Sequence, residues 1–341
     1  MVRVLVVGVP RSGTTWVGRA LGSMPGVAYV NEPDDEVGGG FEPGEERRVL
    51  GSALRAKRNL SRFPALSPEE AAPEYERLWN AAFTIPERRS PPTDLARRAR
   101  RRAWRAVVNG RTGRHQIDEW LVARRWPRSA LLRAGLACLA VPRTPSSGSR
   151  HVVAKSICCQ FSMEWIQTRW HPRVLVVRRH PLNVLASWRD LGWLDERASR
   201  LHGYTLHESS TVRNLVGPSL GVPPLPPGAT PLARAVLHIG LLSTVLEDGA
   251  RRNPAWVVTT HEHLCTDPST RLSEVSSALS LPWGEAGHQY LERSNRPGSG
   301  GELRRVASQQ ADSWRRRLTP DQVEEANDML GRFPIDAWNL D

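Results

Sequence analysis

Val4-Leu5-Val6-Val7-Gly8-Val9-Pro10-Arg11-Ser12-Gly13-Thr14-Thr15-Trp16 reads as a strand, a turn framed by two glycines and the opening of a helix. Val4–Val7 is continuously apolar, as in a strand covered on both faces. Gly8 and Gly13 are separated by four residues, the spacing of the nucleotide-binding phosphate loop. Glycines let the backbone curl around an anion without Cβ clashes. Loop N–H groups and the helix N-terminus then face the phosphate. The segment departs from the nucleoside-triphosphatase pattern in one place. Thr14 stands where a lysine would reach the β- and γ-phosphates, and Arg11 inside the loop brings the positive charge instead.

Working outward, further β-branched runs occur at Val27–Val30, Val152–Ala154, Val174–Val177 and Trp256–Thr260. None alternates with polar residues. Helical spacing separates them: Trp16, Val17, Ala20, Leu21 and Met24, and later Leu232, Val236, Ile239, Leu242, Val245 and Leu246. Strands alternating with helices predict an α/β fold, a P-loop-like central parallel sheet flanked by helices. Two regions break the rhythm. Residues 36–149 are Arg-rich and mostly helical in pattern, an insertion expected to pack on the core. Residues 200–229 carry Gly, Ser and a Pro cluster and read as a long loop, with a second Gly-containing loop at Ser294–Glu302. The expectation is a single domain over residues 1–341, with its core in 1–35 and 150–335 and the basic helical insertion at about 36–149.

The chain of 341 residues is 40% hydrophobic, which excludes a disordered protein. Its 47 Lys+Arg against 35 Asp+Glu give a net charge of +12, a sign that suits polyanionic partners. The four cysteines (Cys138, Cys158, Cys159 and Cys265) lack metal-ligand spacing and read as reduced thiols. The N-terminal apolar run is too short for a signal peptide, and no stretch is apolar for long enough to span a membrane. A cytoplasmic protein, at most peripheral at the membrane, is expected.

A second anion motif follows the fourth run: Val176-Val177-Arg178-Arg179-His180-Pro181-Leu182-Asn183-Val184-Leu185-Ala186-Ser187-Trp188. Arg179 stands at a strand end, where open α/β sheets bind ligands. Pro181 suits a first helical turn, and Ser187 lies eight residues after Arg179. Arg offers phosphate a planar fork and Ser a neutral donor. The usual magnesium-organising acid of a nucleoside triphosphatase is missing from this strand end.

A nucleotide phosphorylated at both ends of its ribose needs two separated anion sites. Together the motifs resemble those of the sulfotransferases that use 3′-phosphoadenosine 5′-phosphosulfate (PAPS), in their bacterial, carbohydrate-sulfotransferase-like form. Two later segments add to the resemblance: Thr260-His261-Glu262 through Asp267-Pro268, and Ala311-Asp312-Ser313-Trp314 with Leu318-Thr319-Pro320-Asp321-Gln322. The resemblance covers residues 1–35 and 150–335 and leaves out the insertion. It implies PAPS as co-substrate, with no metal. It assigns Arg11, Ser12, Gly13, Thr14, Thr15 and Trp16 to the 5′-phosphosulfate, and Arg179 and Ser187 to the 3′-phosphate. Arg304 and Arg305, after the second Gly-rich loop, are placed near the same phosphate.

Sulfuryl transfer needs a base beside the acceptor and positive charge beside the leaving oxygen. Glu32, in Asn31-Glu32-Pro33 after the second strand, is the candidate base. Asp34, Asp35 and Glu36 follow it, so a solvated acidic turn is the plain alternative. Lys155 resembles the family lysine that steadies the bridging oxygen. Ile157 occupies the place where the aryl and alcohol sulfotransferases carry a catalytic histidine, which moves the base towards Glu32. His151, His180, His261 and His263 read as structural. The run Arg97–Arg105, with Trp104 inside it, suits a solvated helix face or docking on an anionic membrane; no nucleic-acid recognition fold accompanies it. The expected acceptor is a glycan, or a glycosylated or lipid-linked molecule. The rival readings are a P-loop kinase-like phosphotransferase and a non-catalytic, membrane-docking nucleotide-binding protein.

Overall fold

The computed structural model describes residues 1–34, 63–84, 150–194, 219–297 and 306–334. All five runs read as strands are strands: β1 (Val2–Val7), β2 (Val27–Asn31), β3 (His151–Ser156), β4 (Arg173–Arg178) and β5 (Val257–Thr260). They form one parallel sheet in the order β2-β3-β1-β4-β5. The helices are α1 (Thr14–Leu21), α2 (Pro73–Phe83), α3 (Met163–Trp170), α4 (Pro181–Asp190), α5 (Pro231–Arg252), α6 (His261–Thr266), α7 (Pro268–Ala278), α8 (Glu285–Ser294) and α9 (Pro320–Leu330).

Why the runs lack alternation is now visible. Side chains on a strand point to opposite faces in turn. Leu5 and Val7 enter one core cluster while Val4 and Val6 enter the other. Val174 and Val176 on β4 likewise part from Leu175 and Val177. One face carries α1, α7 and α8, and the other α2, α3, α4, α5 and α9. Both faces are therefore apolar, and polar side chains collect where the strands end. Because the strands run one way, those ends share one edge. The strand order reverses around β1, and there the phosphate loop emerges.

Residue chemistry sets the helix starts. Proline fills the first turn of α2, α4, α5, α7 and α9, where its missing N–H costs nothing. Thr319 and Gln322 close a capping box on α9. The part of the expected insertion that is described, residues 63–84, belongs to the core: Phe63, Tyr75, Leu78, Trp79, Ala82 and Phe83 are buried in the larger cluster. Tyr75, Trp79, Phe83, Trp165 and Trp170 form a chain of touching rings that joins α2 to α3. Arg97–Arg105, Cys138, Arg304 and Arg305, with most of both expected loops, lie outside the described residues. Cys158, Cys159 and Cys265 are buried. Among the described residues no helix is long and apolar enough to cross a membrane.

Trp79 is fully buried between these rings. Trp79→Ala is expected to cost about 3–5 kcal/mol, the scale of truncating a core aromatic. Urea unfolding at unchanged m-value measures it, and a loss below about 1 kcal/mol would remove α2 from the core.

Candidate active site

The site forms along the carboxyl edge of the sheet, and every strand contributes to it. β1 delivers the loop from Gly8 to Gly13. Gly13 sits at φ 94°, in the left-handed region that favours glycine. The ring of His261 packs against it, and a Cβ there would lie 2.3 Å from His261 Cδ2. Arg11 is also left-handed, at φ 77°. Side chains brought from elsewhere impose this shape. Gln160 Nε2 donates to the Gly8 carbonyl at 3.0 Å, Trp188 Nε1 to that of Pro10 at 3.0 Å, and Arg179 Nη1 to that of Arg11 at 2.9 Å. The loop's carbonyls are thus held by the surrounding protein. Thr14 and Thr15 open α1, whose first-turn N–H groups have no acceptor within the helix. The Ser12 hydroxyl is fully buried and has no hydrogen-bond partner among the described residues. Trp16 Nε1 donates to Ser294 Oγ at 3.1 Å, and its ring meets His261 edge-on.

The second motif lies directly against the first. Arg11 Nε donates to Ser187 Oγ at 3.1 Å. The guanidinium expected to charge the first loop therefore reaches the serine of the second. Arg179 is half-buried, and burial, with Arg11 nearby, pushes its pKa down to about 10 even though Glu262 opposes the shift. It remains a cation at neutral pH. Its Nε is buried without a partner among the described residues. Glu262 Oε1 accepts from the His180 backbone N–H at 3.1 Å and from Asn183 Nδ2 at 2.9 Å, which fixes the start of α4. Burial raises the Glu262 pKa. Asn183 Oδ1 accepts from Ser313 Oγ and from the Trp314 backbone N–H, so the C-terminal segment is seated on the same helix.

Glu32 and Lys155 meet. They end the adjacent strands β2 and β3, and Glu32 Oε1 pairs with Lys155 Nζ. Lys155 is 1% exposed and Glu32 7%, so Glu32 is not solvated. Asp34, expected to share that solvated turn, is fully buried as well. Two charges removed from water need each other, because either one alone would carry its full desolvation cost.

The four histidines have different surroundings. His151 begins β3, at the opposite end of that strand, and His263 is exposed. His180 caps α4 through Nδ1 and stacks on Trp314. His261 is held neutral: burial and then the Arg179 charge keep its pKa well below the usual imidazole range. Burial pushes the neighbouring Cys265 thiol up to about 12, so it is no thiolate. No local sequence signal marks Gln160 and Trp188 as loop supports, or Asn183 as the seat of the C-terminal segment. Each bonds across more than a hundred residues of chain, and only the chain fold brings those partners together.

No family model matches the chain, and no curated protein does. Among solved structures it is similar to the sulfotransferase domain from the Synechococcus PCC 7002 olefin synthase, at 16% identity over 96% of this chain and 94% of that one, with a TM-score of 0.44. It is similar to the sulfotransferase domain from the curacin biosynthetic pathway, at 13% identity, 96% of each chain and a TM-score of 0.41. A further likeness is to retinol dehydratase in a complex with retinol and PAP, at 15% identity, 96% and 80% coverage and a TM-score of 0.37.

The ion pair generates a stability prediction. Lys155→Met takes the cation from a buried carboxylate and is expected to cost about 3–5 kcal/mol. Adding Glu32→Gln should recover at least about 2 kcal/mol of that loss. Denaturant unfolding of both single variants and the double variant measures the coupling, and additive losses would mean that the two side chains do not interact in solution.

Proposed function

We propose that the protein is a PAPS-dependent sulfotransferase of the bacterial, carbohydrate-sulfotransferase-like kind, acting on an acceptor hydroxyl of a carbohydrate or a glycan-bearing molecule. One observation carries the reading. The two anion motifs are bonded to each other through Arg11–Ser187 and Arg179–Arg11, and the buried Glu32–Lys155 pair ends the neighbouring strands. Ser12 Oγ and Arg179 Nε, without partners among the described residues, together with the left-handed Gly13, fit a ligand anionic at two places. Among the described residues no cluster of His, Cys, Asp or Glu is placed to hold a metal ion.

In this reading PAPS supplies the sulfuryl group. The Gly8–Gly13 loop and the first turn of α1 bind the 5′-phosphosulfate. Arg179 and Ser187 bind the 3′-phosphate, with Arg304 and Arg305 as further candidates, and Arg11 of the first loop bonds Ser187. Lys155 lends positive charge to the departing oxygen, and the Glu32 carboxylate takes the proton from the acceptor hydroxyl as it attacks sulfur. Arg97–Arg105 remains a candidate for docking the protein on an anionic surface.

The kinase alternative is opposed by Thr14 and by Arg178, which pairs with Glu247 at the strand end where an acid would organise magnesium. The purely binding alternative gives no reason to bury an acid and a base together beside the anion loops.

Arg179→Ala is expected to weaken PAPS binding by about 1.5–3 kcal/mol, the scale of a charged hydrogen bond. Adenosine 5′-phosphosulfate, which lacks the 3′-phosphate, should lose far less. Equal losses in calorimetry would remove Arg179 from the 3′-phosphate. Turnover should survive EDTA; abolition by EDTA with rescue by Mg²⁺ would return the kinase reading. Glu32→Gln is expected to lower the turnover rate by roughly 10²–10⁴-fold with PAPS affinity nearly unchanged. Near-normal turnover in a folded Glu32→Gln protein would remove Glu32 as the base.

A further inference from the structure

Glu32 holds an unusual backbone. Its φ is 44°, in the left-handed region that a residue with a Cβ rarely enters. It also precedes Pro33, which pushes the residue before it towards extended conformations. Such a conformation persists only where the surroundings over-determine it. One restraint comes from the sheet side, where the Glu32 N–H donates to the Lys155 carbonyl at 2.6 Å.

The other restraint lies just beyond both residues. Asp34 is two positions past Glu32, and Ser156 one past Lys155. Both are fully buried. Ser156 Oγ lies 2.7 and 2.9 Å from the two Asp34 oxygens, so its single proton is shared across the carboxylate. The same Ser156 oxygen accepts from the Cys158 and Cys159 N–H groups at 3.0 and 3.2 Å, which shapes the turn after β3. The Tyr75 hydroxyl, from α2, donates to Asp34 Oδ2 at 3.0 Å and lies 3.3 Å from Ser162 Oγ. Burial and then the Asp34 charge raise the Tyr75 pKa, so the phenol stays a donor. Consecutive residues on a strand point to opposite faces, so Lys155 and Ser156 part company at the end of β3. The ion pair and the Asp34–Ser156 pair thus grip the same two strand ends from opposite sides.

We propose that Asp34 and Ser156 are the positioning residues of this centre: they hold Glu32 in the left-handed turn that aims its carboxylate at Lys155, and Tyr75 ties α2 to that turn. The catalytic consequence rests on the sulfotransferase reading; the geometric one does not. Neither residue touches the reacting atoms. Their effect passes through Glu32 and Lys155, and a small misplacement of such groups costs much in rate.

The test is Ser156→Ala beside Ser156→Thr, which keeps the hydroxyl. PAPS hydrolysis by water and PAP affinity are measured in each, with crystal structures of the wild type and Ser156→Ala. Hydrolysis is expected to fall by about tenfold to a hundredfold in Ser156→Ala. Ser156→Thr should return it to within about threefold of wild type, and PAP affinity should stay within about twofold in both. In the Ser156→Ala crystal, Glu32 should leave positive φ and its contact with Lys155 should open. Wild-type hydrolysis in Ser156→Ala, an equal loss of PAP affinity, or an unchanged Glu32–Lys155 geometry would overturn the proposal. Should Ser156→Ala fail to fold, Asp34→Asn takes its place with the same expected outcomes. A wild-type protein that neither binds PAP nor hydrolyses PAPS would sink the sulfotransferase reading instead, and the crystal comparison would then decide the positioning role by itself.

Discussion

The phosphate loop keeps its shape because three of its carbonyls are held from outside. Gln160, Trp188 and Arg179 take the carbonyls of Gly8, Pro10 and Arg11. Without them the left-handed residues Arg11 and Gly13 would have little to keep them there. The donors come from the segment after β3, from α4 and from the end of β4. The loop is therefore a product of the whole sheet edge. The same arrangement brings the second anion motif against the first, since Trp188 and Arg179 both belong to it.

That edge concentrates charge in a way the rest of the core avoids. Both faces of the sheet are apolar, with valine and leucine filling the space beneath the helices. Polar groups at the strand ends face a choice between water and one another. Glu32 and Lys155 pair; Glu262 pins the start of α4; Asp34 gathers Ser156 and Tyr75. Buried ionic and hydrogen-bonded groups of this kind are expensive to leave unmatched, so each is tied to a partner on another element. The result is a frame in which the Glu32–Lys155 pair and the two proposed anion motifs have set positions. Set positions of this kind are what the proposed transfer between two bound molecules would require.

The apolar pattern of the strands was readable because it needs only local information. Val4–Val7, Val27–Val30, Val152–Ala154, Val174–Val177 and Trp256–Thr260 are continuous runs, and burial on both faces of a parallel sheet demands continuous runs. The two glycines around Arg11, and Arg179 eight residues before Ser187, were readable for a similar reason: a tight βα turn and a helix start constrain residue types at short range. The capping box at Thr319 and Gln322 belongs to the same class.

Local sequence alone determined the parallel sheet and the place of both motifs at strand ends, because each follows from the chemistry of a few neighbouring residues; Glu32 was nominated from its strand end, and Lys155 only through its resemblance to the family lysine. Tertiary structure decided the partners. Glu32 and Lys155 are 123 residues apart, and Arg11 and Ser187 are 176 apart. Asp34 sits in a run of acids that reads as solvated, yet the ends of β2 and β3 and a tyrosine from α2 enclose it. Burial is a property of what surrounds a residue, and for Asp34 the surroundings come from β3 and α2, far along the chain.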